Sequence, residues 1–121
     1  MDTLVPLADL ELESIAGLPV AHLSGEIDRS NAAEVGDRVA SAVADQSGLV
    51  VDLSALTFLD STGIRMLFRL ATRLEQRQQS LRVVIPDGSH VREILDTVGL
   101  KQAAATDHTV DEAVAALTHG A

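Results

Sequence analysis

The chain has 121 residues, 46 % of them hydrophobic, a net charge of −9, no cysteine and two aromatic residues, Phe58 and Phe68. That length fits one domain burying about two-thirds of its unfolded surface, and the lack of cysteine excludes disulfides, cysteine-based zinc sites and thiol chemistry. No apolar run reaches the ~18 residues of a membrane span, and the first residues (MDTLVPLADLELES) are acidic, without the basic start of a secretory signal. A cytoplasmic protein with no membrane partner is the expectation.

The charge is uneven. Residues 1–60 carry eleven acidic and two basic side chains, residues 61–121 seven of each. An acidic chain without Trp or Tyr offers neither the basic surface nor the stacking platforms of nucleic-acid binding.

In chain order, Leu10 and Leu12 alternate with Glu11 and Glu13, as in a strand with one wet face. Gly17 offers a turn, and Leu18 to Ile27 reads as its hairpin partner, with Pro19 confined to the start because it donates no ladder hydrogen bond. A first helix is predicted from Ser30 and Asn31, with Glu34 completing a capping box on Asn31 and Ala32, Val35, Val39 and Val43 at helical spacing. Leu49 to Leu53 (LVVDL) reads as a strand buried on both faces, and Ser54 to Leu59 as a loop. Asp60 then opens a long helix, Ser61 to Gln78, whose inner stripe is Ile64, Leu67, Leu70, Ala71 and Leu74.

Leu81 to Pro86 reads as a second buried strand. A third helix starts near Ser89, places Val91, Ile94, Leu95 and Val98 at i, i+3, i+4 and i+7, and stops at Gly99. Gln102 to Thr106 is predicted as a short last strand. The final helix opens on a capping box, Thr109 with Glu112. Strands separated by helices imply right-handed crossovers. The fold class is therefore α/β: one domain over residues 1–121, with a mixed, largely parallel sheet of four to five strands and about four helices.

No Gly-rich phosphate loop and no G-x-S-x-G elbow occurs. The histidines His22, His90, His108 and His119 lack metal-ligand spacing, so no metal and no cofactor is expected. A phosphate-receiver fold would need a metal-binding acidic pair at the end of its first strand and a lysine at the end of its last, and neither is present. The chemistry concentrates in Phe58-Leu59-Asp60-Ser61-Thr62-Gly63, where a strand gives way to a helix. Capping accounts for Asp60 or Ser61, but not for two hydroxyls and a glycine opening a helix whose outer face repeats Arg65, Arg69 and Arg73.

The run Val50 to Ile64 (VVDLSALTFLDSTGI) resembles the signature of STAS domains, specifically of anti-sigma factor antagonists. Leu23 to Asp28 (LSGEID) is similar to that family's second-strand motif, with Ile for Leu, and Thr109 to Val114 to its last helix. The resemblance spans essentially the whole chain. It implies a binding protein with no active site of its own, whose partner is an anti-sigma factor of the serine-kinase type. By the same resemblance, Ser61 is the phosphoacceptor. The unmodified protein binds the anti-sigma factor and frees the sigma factor, phosphorylation releases it, and a metal-dependent phosphoserine phosphatase resets the switch. Asp28, Asp60, Thr62, Gly63, Arg65 and Arg69 are the expected partner-binding set, with Thr62 as a second candidate acceptor. STAS-like domains also serve as subunits of lipid-transport ABC systems and in stress-sensing scaffolds.

Overall fold

A computed structural model describes residues 8–119; the two ends of the expected 1–121 domain lie outside the described residues. The order is β1 (Ala8–Ile15), β2 (Leu18–Ile27), α1 (Ala32–Val43), β3 (Gly48–Leu59), α2 (Ser61–Gln76), β4 (Ser80–Val84), α3 (His90–Thr97), α4 (Leu100–Ala103), β5 (Ala105–Asp107) and α5 (Val110–Thr118). The sheet runs β1-β2-β3-β4-β5, with β1 antiparallel to β2 and the remaining pairs parallel. Ala16 and Gly17, both with positive φ, make the two-residue hairpin turn that suits the twist of paired strands.

With the strands in sequence order, right-handed crossovers carry α1, α2 and α3 to one face of the sheet. There Val35, Val39, Leu67, Leu70, Leu74, Val91 and Leu95 pack on Leu23, Leu49, Val51, Leu53 and Val83. Among the described residues the other face is covered by α5 alone, which sets Ala113 and Val114 on Leu18, Val20, Val50 and Val84. The middle strands are thus apolar on both sides.

Four local expectations are corrected. The segment 54–59 is not a loop: β3 continues to Leu59, because β2 remains beside it through Ser24–Ala55 to Ile27–Leu59. The Asn31 capping box does not form. The Asn31 side chain instead accepts from the Asp28 amide at 3.0 Å and donates to the Glu26 carbonyl at 3.0 Å, which the nearby end of β2 makes available. Residues 100–103 are a short helix, so the last strand is Ala105–Asp107, and five helices replace about four. Leu12 is not buried with Leu10: it is 53 % exposed, on edge strand β1, where it lines a shallow open groove with Asp37, Arg38, Ser41 and Ala42 of α1. Two smaller departures concern helix ends. α2 stops at Gln76, with Gln78 at positive φ, and in the last capping box Glu112 turns to the His108 amide while Thr109 accepts from the Glu112 amide.

The half of the sheet that α5 leaves open carries a polar clasp. His22 on β2 places Nδ1 2.7 Å from Asp52 of β3 and Nε2 2.7 Å from Glu13 of β1. Both ring nitrogens can donate only in the imidazolium form. Desolvation disfavours that form, yet the hydrogen bonds and charges of Glu13 and Asp52 outweigh it and raise the His22 pKa above its ordinary value. A raised pKa contributes stability that is complete below the unfolded value of about 6.5 and is lost as pH rises through the folded value. We expect His22→Gln to cost about 1–2 kcal/mol at pH 6, solvent exposure keeping it below a fully buried charged bond, and clearly less at pH 8.5. Urea unfolding at the two pH values checks this, and an equal or larger cost at pH 8.5 refutes the clasp.

Candidate functional site

The parallel strands β2 and β3 end in register, Ile27 opposite Leu59, and the next residues are Asp28 and Asp60. Both following helices begin at this edge, so two helix N-termini and two carboxylates gather at the carboxyl ends of adjacent strands. Open α/β sheets commonly bind their ligands at such an edge. The Asp60 amide donates to the Ile27 carbonyl at 3.2 Å and ties the start of α2 to the end of β2.

Gly63 makes that approach possible. A Cβ at this position would overlap Leu59 Cδ1 and lie 3.0 Å from Ile27 Cγ2, so the first turn of α2 rests directly on the last buried residues of both strands. Asp60 is the N-cap: its Oδ1 accepts from the Thr62 amide at 2.9 Å and the Gly63 amide at 3.0 Å. Its carbonyl takes the Ile64 amide at 2.9 Å, closing the first helical turn. The carboxylate therefore satisfies two otherwise unpaired donors and complements the helix dipole.

Ser61 follows as the first helical residue. Its side chain is exposed, and no hydrogen bond holds it among the described residues. Thr62 is half-buried and turns toward the groove between α1 and α2, so the two hydroxyls differ in access. Across the edge, Asp28 accepts from the Ser30 hydroxyl and from its amide at 2.8 Å. Those bonds hold its carboxyl below the usual carboxylate range, so Asp28 is an anion at any physiological pH.

The expected set thus divides. Asp28, Asp60, Ser61 and Thr62 lie at this edge, and Gly63 lies beneath it as a packing position. Arg65 and Arg69 lie one and two turns along α2, exposed on the wall of the α1–α2 groove. Sequence reading missed Phe58, 41 % exposed two residues before Asp60. A phenylalanine in an apolar run reads as core; the missed signal is that Leu56 and Leu59, three apart, are the inward residues of a strand whose register with β2 shifts between Gly25 and Glu26. Among the described residues, no group of three or more His, Asp or Glu side chains is arranged to hold a metal ion, and no helix is long and apolar enough to cross a membrane.

The STAS domain family profile matches residues 9–113. The chain belongs to the STAS domain family. Among its curated relatives, the anti-sigma-F factor antagonist RsfB of Mycobacterium tuberculosis is 33 % identical over 106 residues, covering 86 % of this chain and 84 % of that one. The putative anti-sigma factor antagonist BtrV of Bordetella bronchiseptica is 31 % identical over 91 residues, covering 74 % and 78 %. Among solved structures, this STAS domain superposes on an anti-sigma factor antagonist from Mycobacterium paratuberculosis with a TM-score of 0.81 at 29 % identity, covering 92 % and 94 % of the two chains. Unphosphorylated SpoIIAA, at 20 % identity and a TM-score of 0.72 over 93 % and 99 %, shares the fold.

Two substitutions separate packing from capping at this STAS junction. Gly63→Ala is expected to destabilise by about 1–3 kcal/mol through overpacking against Leu59, although alanine is the better helix former. Asp60→Ala is expected to cost about 1 kcal/mol as a lost cap. Denaturant midpoints measure both; a Gly63→Ala protein as stable as the wild type refutes the close approach.

Proposed function

We propose that this protein is an anti-sigma factor antagonist controlled by phosphorylation of Ser61. Unmodified, it docks through the strand-end edge onto an anti-sigma factor of the serine-kinase type and so releases a sigma factor. The kinase transfers the γ-phosphoryl group of ATP to Ser61 Oγ: the new O–P bond forms as the bond to ADP breaks, and the hydroxyl proton passes to a base on the kinase. A phosphoserine phosphatase restores the hydroxyl by hydrolysis.

The carrying observation is an exposed, unbonded hydroxyl on a helix whose first amides are already occupied. Asp60 Oδ1 takes the Thr62 and Gly63 amides, so a phosphate on Ser61 finds those two donors used. It adds about −1.5 to −2 charges at neutral pH beside the carboxylate of Asp60 and near the end of β2, where Asp28 stays ionised. The group is therefore turned outward, and its charge acts on whatever is docked there. The fold needs no rearrangement for this, since Ser61 supports no hydrogen bond that modification would break. Phe58, exposed at the same end of β3, supplies an apolar anchor that docking would cover. The names of the curated relatives support the same reading.

The test mixes the protein with kinase-type anti-sigma factors and ATP and locates the phosphate by mass spectrometry. Ser61→Ala is expected to abolish incorporation and retain binding. Ser61→Asp is expected to weaken binding about tenfold or more, like charges across an interface costing several kcal/mol. Full phosphate incorporation into Ser61→Ala at another residue refutes the assignment. Loss of α2 helicity on phosphorylation, seen by NMR, refutes the outward-charge mechanism.

A further inference from the structure

The basic residues of this acidic chain are not used alike. Arg82 is paired with Asp107 through two bonds of 2.7 and 3.1 Å, Arg92 lies within 4 Å of Asp87 and Asp96, and Lys101 reaches Asp96 at 3.8 Å. Among the described residues Arg29, Arg38, Arg65, Arg69, Arg73 and Arg77 have no carboxylate within ion-pair distance, and of these Arg65, Arg69 and Arg73 stand in one row along α2. The chain carries twice as many acidic as basic side chains, 18 to 9. Three of the unpaired arginines thus form a continuous cationic row on an otherwise acidic chain.

The three line the α2 wall of a cleft of about 200 Å³ between α1 and α2, floored by Ala32, Gly36 and Met66, with Asp37 as the one acidic residue, on the α1 side. Gly36 lies in the middle of α1, where glycine costs about 1 kcal/mol relative to alanine. A Cβ there would meet Met66 Cγ at 2.9 Å, so a larger residue would displace the Met66 side chain. The result is a shallow apolar floor bordered by cations at i, i+4 and i+8, about 12 Å from first to last at the helical rise. Its upper end is Thr62, next to Ser61.

We propose that the α1–α2 cleft receives an acidic amphipathic helix of the partner protein. The apolar side of that helix lies on Gly36 and Met66, and its carboxylates, one per turn, meet Arg65, Arg69 and Arg73. Helices laid into grooves are read through residues at this spacing, and arginine forks match carboxylates in two-bond geometry. This deepens the reading of the strand-end edge as an anti-sigma factor interface, on which it rests for the partner's identity. The edge senses phosphate, while the cleft recognises the partner.

Two arms keep the outcomes apart. In the first, the isotopically labelled chain is titrated with a 14-residue helical peptide bearing Glu at i, i+4 and i+8 beside leucines, and separately with its Lys-for-Glu counterpart. Saturable NMR shifts at Gly36, Thr62, Met66 and Leu70 with the Glu peptide alone are expected; their absence overturns the proposal. The same shifts produced equally by inorganic phosphate overturn it in favour of a small anion. In the second arm, Arg69→Glu with Arg73→Glu is expected to weaken binding to the kinase-type anti-sigma factor about tenfold or more, with unchanged thermal unfolding and a salt dependence shallower than the wild type. If Ser61→Asp abolishes binding but the double variant binds like wild type, the cleft is wrong and the edge stands. If the wild type binds no such factor, the function proposed above fails, and the peptide arm alone decides the cleft. Self-association lost in the double variant overturns the proposal in favour of a second copy of this chain.

Discussion

The absence of a side chain at residue 63 is the constraint from which the strand-end edge follows. It lets the first turn of α2 sit on Leu59 and Ile27, which brings the Asp60 amide to the Ile27 carbonyl. The ends of β2 and β3 are thereby level, and Asp28 and Asp60 emerge side by side. A larger residue would lift the helix start away from the sheet and with it Ser61. The position of Ser61 is thus set by packing below it, and its hydroxyl stays unengaged.

Electrostatics is sorted by face and by edge. On the face that α5 leaves half open, negative charge is partly offset internally, with His22 held between Glu13 and Asp52 across three strands. The far edge is closed by Arg82 and Asp107, which tie β4 to β5. At the carboxyl edge of the sheet, Asp28 is held by Ser30 and Asp60 by the amides of its own helix. Along α2 the arginines have no such partner among the described residues. Self-satisfied charge serves stability, and unsatisfied charge is available for binding.

Much of this was legible in the residues. The apolar periodicity of Val35, Val39 and Val43, the two-sided apolar run Leu49–Leu53 and the caps Asp60, Ser89 and Thr109 are local signals, and the structure retains each of them. What misled were positions where a neighbour distant in sequence outbid the local pattern. Asn31 is a good N-cap by type, but the Asp28 amide and Glu26 carbonyl claim its side chain. Ser54–Leu59 looks like a loop because its apolar residues do not alternate, yet shifts of register against β2 keep it in the sheet and turn Phe58 outward. Leu12 obeys alternation and is still exposed, because the groove it shares with Asp37, Arg38, Ser41 and Ala42 of α1 stays open to solvent.

The sequence by itself determined the order of elements, the strand-to-helix junction at Asp60-Ser61-Thr62-Gly63 and the family likeness, since these rest on side-chain periodicity, capping chemistry and contiguous motif residues. Only the tertiary structure decided that the Asp60 amide is tied to the Ile27 carbonyl, which sets Asp28 and Asp60 at one edge. It also decided that His22 bridges two carboxylates and that Arg65, Arg69 and Arg73 border a cleft without internal partners. The reason is physical: a hydrogen bond or an ion pair is a relation between two groups. The sequence names the groups, but folding alone sets the distances between those far apart in the chain.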